Sequence, residues 1–229
     1  MDIRPSAGKL PFRPVARETV QDRVYREIRE MILDGAIEPG RSVTIQSLAD
    51  AFGTSAMPVR EALHRLVAEK ALTVVAGRSV GIPPLSAARL GDLRRVRQEI
   101  EGLATEWATP RITAADLARM AELIEVMEGA SAARDAAAFV PANREFHFRI
   151  YRAAASETLL AMIESLWLQI GPYIDLMRTP EGLVVANSRH RAILQALRDG
   201  DAARARQAVG DDIGAAAAFL QPLLAGSSA

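Results

Sequence analysis

The stretch from Gly53 to Leu66, GTSAMPVREALHRL, is the part of this 229-residue chain that leaves folding the least freedom. Ser55 is placed to cap a helix, and Val59, Ala62, Leu63 and Leu66 recur at helical spacing on one side, with Met57, Arg60, Glu61 and His64 on the other. One side packs, and the other is free to read something. Just upstream, VTIQSLADAFG carries Ile45, Leu48, Ala49 and Phe52 along a second short amphipathic helix that Gly53 ends. Two helices joined through a glycine turn give the outline of a helix-turn-helix. Downstream, ALTVVAGRSVGIPPL holds two β-branched runs around Gly77, Arg78 and Ser79, the pattern of a hairpin wing. A buried helical hairpin without any reading role has the same spacing; the wing and a third helix favour the DNA-binding arrangement.

That third helix runs from Thr19 to about Leu33, with Val20, Val24, Ile28, Met31 and Ile32 as its stripe and Gly35 as its stop. Residues 1 to 18 hold three prolines and no sustained period, so they read as a flexible arm whose Arg4, Lys9, Arg13 and Arg17 either belong to a solvated tail or touch a DNA backbone or minor groove. Pro83 and Pro84 break the second wing strand and mark a domain boundary. After Ser86 the pattern is helical throughout: about 87 to 108, 114 to 134, 136 to 155, 157 to 177, 182 to 199 and 201 to 224, with Pro110, Pro180 and Gly200 in the breaks. The expected fold is mainly α: an arm at 1–18, a winged helix-turn-helix domain at 19–85, and an all-α bundle of six or seven helices at 86–229.

Without cysteine the chain has no disulfide, thiolate metal site or thiol nucleophile, and it suits a reducing compartment. No apolar run approaches 18 residues and no signal peptide is present, so a cytoplasmic protein with no membrane partner is expected. Net charge is zero: residues 1 to 85 hold 12 Lys+Arg against 10 Asp+Glu, and the remainder 16 against 18. That tilt is too small to argue from, so a DNA contact must rest on local placement. The candidates are Arg41, Ser55, Met57, Arg60, His64 and Arg78, with Arg65 in the same segment.

The bundle carries its own signal. Asn143 and His147 sit four apart on the apolar seam of Phe139, Phe146, Ile150 and Ala154. His190 falls among Leu183, Leu194 and Leu197, and Asp212 among Ala205, Val209, Ala216 and Phe219. Burying such groups without partners costs a few kcal/mol apiece, so they should meet each other, water or an ion. A divalent cation held by Asn143, His147, His190 and Asp212 is one reading; a hydrogen-bonded polar core that binds an organic ligand directly, or nothing, is the other. Arg97 and Glu101 share a face beside the seam of Leu93, Ile100, Ala104 and Trp107. Arg97 either grips an effector carboxylate or pairs with Glu101 along the helix. Trp107, Trp167 and Tyr173 either line a cavity or fill the core.

The segments RVYREIREMILDGAIEPG, LADAFGTSAMPVREALHRLVAEKAL and GRSVGI resemble the winged helix-turn-helix of the GntR family of bacterial transcriptional regulators. VRQEIEGLA, NREFHFRIYRAA and SRHRAILQALRDGD resemble the FCD (FadR C-terminal) ligand-binding domain, so the likeness covers nearly everything but the arm. It implies a homodimeric, metabolite-responsive regulator, a repressor on double-stranded operator DNA controlled by a small organic acid. It also implies half-sites about one helical turn apart. Where that family usually begins its recognition helix Ser-Arg-Thr-Pro, this chain has Ser55-Ala56-Met57-Pro58, so a common DNA-contacting arginine is absent and Arg60 remains. The operator should differ accordingly, by about 1–3 kcal/mol at the base that loses its contact. Metal-binding FCD domains carry Asp-x3-His and two later histidines, and the matching positions here are Asn143, His147, His190 and Asp212. Zinc or nickel is the expected ion, with manganese or magnesium gaining from the added oxygen donors. Arg97 matches the arginine of the family's VRxxxE segment and Glu101 its acid. Two other readings stay open: a metal-dependent enzyme using His147 and His190, which lacks an evident general base and any HExxH, and a helical scaffold with a degenerate reading head.

Overall fold

The structure, a computed structural model, describes residues 19–76, 79–177 and 179–225; the amino-terminal arm and Arg78 lie outside them. Helix α1 (Val20–Leu33) starts at Thr19, whose hydroxyl accepts from the Asp22 amide while the Asp22 carboxylate takes the Thr19 amide. This reciprocal cap satisfies two backbone donors that a helix start leaves unpaired. α1 buries Val24, Ile28 and Ile32 and packs mainly on α3. Then come β1 (Ser42–Thr44), α2 (Ile45–Phe52), α3 (Ala56–Ala68), β2 (Thr73–Ala76) and β3 (Ser79–Gly81). Gly53, at φ 61°, closes α2 in the left-handed region that glycine enters without strain, so α3 starts within a few residues at a sharp angle.

Val43 and Thr44 are not part of α2, as their spacing predicts, but of a three-stranded sheet ordered β1-β3-β2. All pairs are antiparallel, with Ser42 opposite Gly81, Thr44 opposite Ser79, and Thr73 also opposite Gly81. Only a partner some forty residues away makes β1 a strand, and no local period records that. At the other end of α3, Lys70 takes φ 60°, a position where glycine is usual, and the Ala71 amide closes the turn onto the Leu66 carbonyl at 3.0 Å.

The rest is a bundle: α4 (Ala87–Ala108), α5 (Ala114–Ala133), α6 (Ala136–Ala153), α7 (Glu157–Ile174), a 3-10 turn at Asp175–Met177, α8 (Pro180–Asn187), α9 (His190–Arg198) and α10 (Ala202–Ala225). The single helix expected at 182–199 is two. The Ser188 hydroxyl turns back to the Val185 carbonyl at 2.8 Å, and the backbone breaks before His190 opens α9. α10 makes its broadest contact with α4, and α5 with α6. One apolar core fills the bundle. A second joins α1, α2 and α3 to Leu90, Leu168, Ile170, Tyr173 and Leu220, so the amino-terminal domain shares its core with one end of the bundle. Among the described residues no helix is long and apolar enough to cross a membrane.

Candidate nucleic-acid face and buried polar centre

Helix α3 divides as its spacing predicts. Val59, Ala62, Leu63 and Leu66 are buried, and Met57, Arg60, Glu61 and His64 stand in solvent, Met57 at 60% exposure. A large apolar side chain so exposed on a polar helix face is available to a partner surface. Ser55 occupies the N-cap position without using its hydroxyl there, so that hydroxyl faces outward too. Arg41 is exposed next to β1 and pairs with Glu38 at 2.9 Å. Arg65, grouped with these by sequence, serves the fold instead. Its guanidinium lies 3.8 Å from the centre of the Tyr25 ring and 3.2 Å from Glu69, whose carboxylate also accepts from the Tyr25 hydroxyl at 2.7 Å. Burial, and then the hydrogen bond to Glu69, push the Tyr25 phenol up to about 12.

The second cluster is buried in the bundle. The inward seam of α4 is Leu90, Leu93, Arg97, Glu101, Ala104 and Ala108, so Arg97 and Glu101 lie on it rather than beside it. Trp107, read as part of the seam, is 43% exposed. Hydrophobicity alone misplaced the seam because two charges hold its centre. Arg97 donates Nε to Glu101 Oε1 at 2.5 Å and a terminal nitrogen to Oε2 at 3.2 Å, the intrahelical pair that was one of its two expected roles. Glu101, fully buried, also accepts from the Tyr151 hydroxyl at 2.5 Å and from Trp167 Nε1 at 3.1 Å. Burial disfavours charge on Arg97, but Glu101 offsets this and holds the guanidinium pKa above its ordinary value.

Next to this pair the sequence-predicted donors meet. His147 Nε2 is 3.3 Å from His190 Nε2 and 3.4 Å from Asp212 Oδ2, and ligating atoms of the three residues lie within 4.8 Å of one another. Asn143, one turn before His147, lines a small hollow beside Trp167, Gly171 and Leu33. The far ring nitrogens fix the tautomers. His190 Nδ1 meets Asn187 Oδ1, an acceptor, at 3.0 Å and so carries the hydrogen; the Tyr151 oxygen, its own hydrogen committed to Glu101, accepts from His147 Nδ1 at 3.4 Å. Burial drives both imidazoles toward the neutral form: His147 well below its usual range, helped by His190 and Arg97, and His190 down to about 4. Burial also pushes the Asp212 carboxyl up to about 7, with Arg97 opposing and Glu101 adding.

Two bare Nε2 lone pairs and a carboxylate oxygen therefore face one point with no hydrogen assigned between the rings. The Asp212 proton below about pH 7, or a cation, relieves their repulsion, and the two His147 edges of 3.3 and 3.4 Å suit an ion: metal–nitrogen bonds of about 2.0 Å in a tetrahedral shell set ligand atoms about 3.3 Å apart. Outer hydrogen bonds donated by both rings, to Tyr151 and Asn187, orient them as the second layer of a metal site does. Sequence reading missed Tyr151 and Asn187, and named Trp167 as a cavity or core residue without its bond to Glu101. Tyr151 was within reach of it, since Asn143, His147 and Tyr151 fall every fourth residue on one helix face.

Two family models match the chain. The family model for the FCD domain matches residues 92–215, and that for bacterial regulatory proteins of the gntR family matches residues 20–82. The HTH-type transcriptional regulator McbR of Escherichia coli K12 is 32% identical over 182 residues, 78% of this chain and 82% of that protein. A probable D-xylose utilization operon repressor of Paenarthrobacter nicotinovorans is 28% identical over 199 residues, 85% of this chain and 86% of its own. The solved structure of E. coli McbR/YncC superposes with a TM-score of 0.83 at 28% identity, covering 90% of this chain and 99% of that one.

Proposed function

The chain belongs to the GntR family of bacterial regulatory proteins and carries an FCD domain; from that premise we propose that this transcriptional regulator is a repressor whose operator affinity is set by a small organic acid bound at a metal centre in its bundle. The reading takes residues 19–85 as the head and 86–229 as the effector domain. The observation that carries it is the division of α3, which buries one face completely and leaves Met57, Arg60 and His64 in solvent. Arg60 is the long cation on that face and would fork onto guanine O6 and N7, while Met57 offers apolar contact such as a thymine methyl accepts. Ser55, His64, Arg41 and Arg78 contribute from the cap, the outer face, the loop before β1 and the wing.

In the bundle, His147, His190 and Asp212 would hold a divalent cation, zinc or nickel before manganese or magnesium, with Asn143 as a further oxygen donor from the same helix as His147. When bound, the ion supplies a Lewis-acidic point that accepts an effector carboxylate. The chain does the rest. Tyr151 and Asn187 orient the rings, burial keeps them neutral, and Arg97, fixed by Glu101, sets a positive charge within electrostatic reach of Asp212. Two copies would straddle a palindrome, pairing through the α4–α7 face where Val96 and Met162 stand exposed around Ile100 and Leu166.

Gel shift on duplex DNA from upstream of the protein's own gene tests the head: a salt-sensitive complex that Arg60→Ala weakens supports it, and no complex with any upstream fragment overturns it. Zinc titration after chelation tests the centre. One ion per chain, lost in His147→Ala and in His190→Ala, supports the site, and no uptake overturns it.

A further inference from the structure

On the α4–α7 side of the junction between head and bundle lies a cavity of 370 Å³, within the usual range for small-molecule sites. Its walls are apolar, with Leu72, Pro84, Leu93 and the Tyr173 ring, and its charged residues are Lys70 and Arg89; no carboxylate is among the described residues that line it. Arg89 is held in place, donating to Gln169 at 2.5 Å and to Asp92 at 3.2 Å, and its five N–H groups exceed those bonds. Lys70 sits at φ 60°, where a side chain is strained and glycine would be at ease. The neighbouring Glu69 does not neutralise it, being engaged with Tyr25 and Arg65.

Two cations over an apolar hollow suit one class of ligand. We propose that this cavity is a second binding site, separate from the His147 centre, and that it takes an amphipathic organic anion: a carboxylate with a medium-length alkyl or aryl body. Lys70 and Arg89 receive the carboxylate, and Leu72, Pro84 and Leu93 cover the body. A bare inorganic anion would leave the apolar walls uncovered. Because its lining comes from the end of α3 and β2 on one side and from the linker, α4 and α7 on the other, an occupant touches both domains at once.

Calorimetric titration of the full chain with decanoate, below its micelle-forming concentration and with and without EDTA, tests this. Saturable binding is expected, unchanged by EDTA. Lys70→Gly should weaken it about tenfold, the loss of one charge-assisted hydrogen bond, while the melting temperature holds or rises because glycine suits the left-handed turn. Lys70→Arg should retain it. Loss of affinity without loss of stability separates a ligand contact from a structural one. Three results would overturn the proposal: no saturable heat with the wild-type chain, equal affinity in Lys70→Gly, or binding that disappears with EDTA and so belongs to the bundle centre.

Discussion

The Tyr151 hydroxyl donates to Glu101 at 2.5 Å and, through the same oxygen, accepts from His147 at 3.4 Å. One phenol thus ties the buried Arg97–Glu101 pair to the imidazole centre. Tyr151→Phe keeps the ring and removes the link. Glu101 retains Arg97 and Trp167, while the His147 Nδ1 hydrogen loses its acceptor, so we expect a stability cost of about 1–3 kcal/mol in urea unfolding. Zinc affinity should fall about 10–100-fold by titration, as when an orienting partner is removed from a metal-ligating histidine. Unchanged zinc affinity would show that Tyr151 does not orient the ring.

Arg97 and Glu101 are both buried, and each depends on the other. Arg97→Met leaves the carboxylate uncompensated and should cost about 3–5 kcal/mol, while the double change Arg97→Met with Glu101→Leu should recover much of that loss. A double-mutant cycle in urea measures it. Additive losses would mean that the pair is not coupled.

Two arginines five residues apart on α3 should fail in opposite ways. Arg60→Ala, in solvent, should leave the melting temperature nearly unchanged and weaken operator binding by about 1–3 kcal/mol. Arg65→Ala strips the cation from the Tyr25 ring and from Glu69, and should lower stability by about 1 kcal/mol. Thermal melts beside gel shifts distinguish them.

Tyr25 makes the head sensitive to alkali. Its phenol titrates near 10 in the unfolded chain and at about 12 in the fold. Between those values the unfolded chain has released a proton that the folded chain keeps. The stabilisation is therefore complete below about pH 10 and is lost as the pH rises toward about 12. Tyr25→Phe should remove this component when urea unfolding at about pH 9 and about pH 11 is compared.

Metal uptake should depend on acidity in the opposite direction. Asp212 keeps its proton up to about pH 7 and must lose it to ligate, so zinc affinity should fall about tenfold per pH unit below about 7, with about one proton released per ion. Titration in buffers of differing ionisation heat counts that proton. Affinity flat from about pH 7 down to about pH 5 would exclude Asp212 as a ligand.

Period and punctuation carried most of the fold. Val59 to Leu66 showed the packed side of α3, Gly53 the turn before it, and the polar residues on apolar seams drew attention to His147, His190 and Asp212, which three separate helices bring within reach of each other. What stayed hidden was non-local. β1 exists through its pairing with β3, and the break after Ser188 interrupts a stretch that stays apolar on both sides. Trp107 was misassigned because a stripe repeated every seven residues drifts about 20° per repeat around a straight helix, far enough over two repeats to leave the core. The Glu101 contacts of Tyr151 and Trp167 join helices α4, α6 and α7, and no spacing within one helix encodes them.

Arg144 reaches from α6 to Glu30 at 2.8 Å and Asp34 at 3.5 Å at the end of α1, and His147 stands three residues further along the same helix. A hydrogen-bonded helix does not bend over so short a distance, so the two side chains share one rigid rod. A roll of α6 as its imidazole settles would therefore shift the ion pairs that tie it to the end of α1, the helix packed against the back of the reading head.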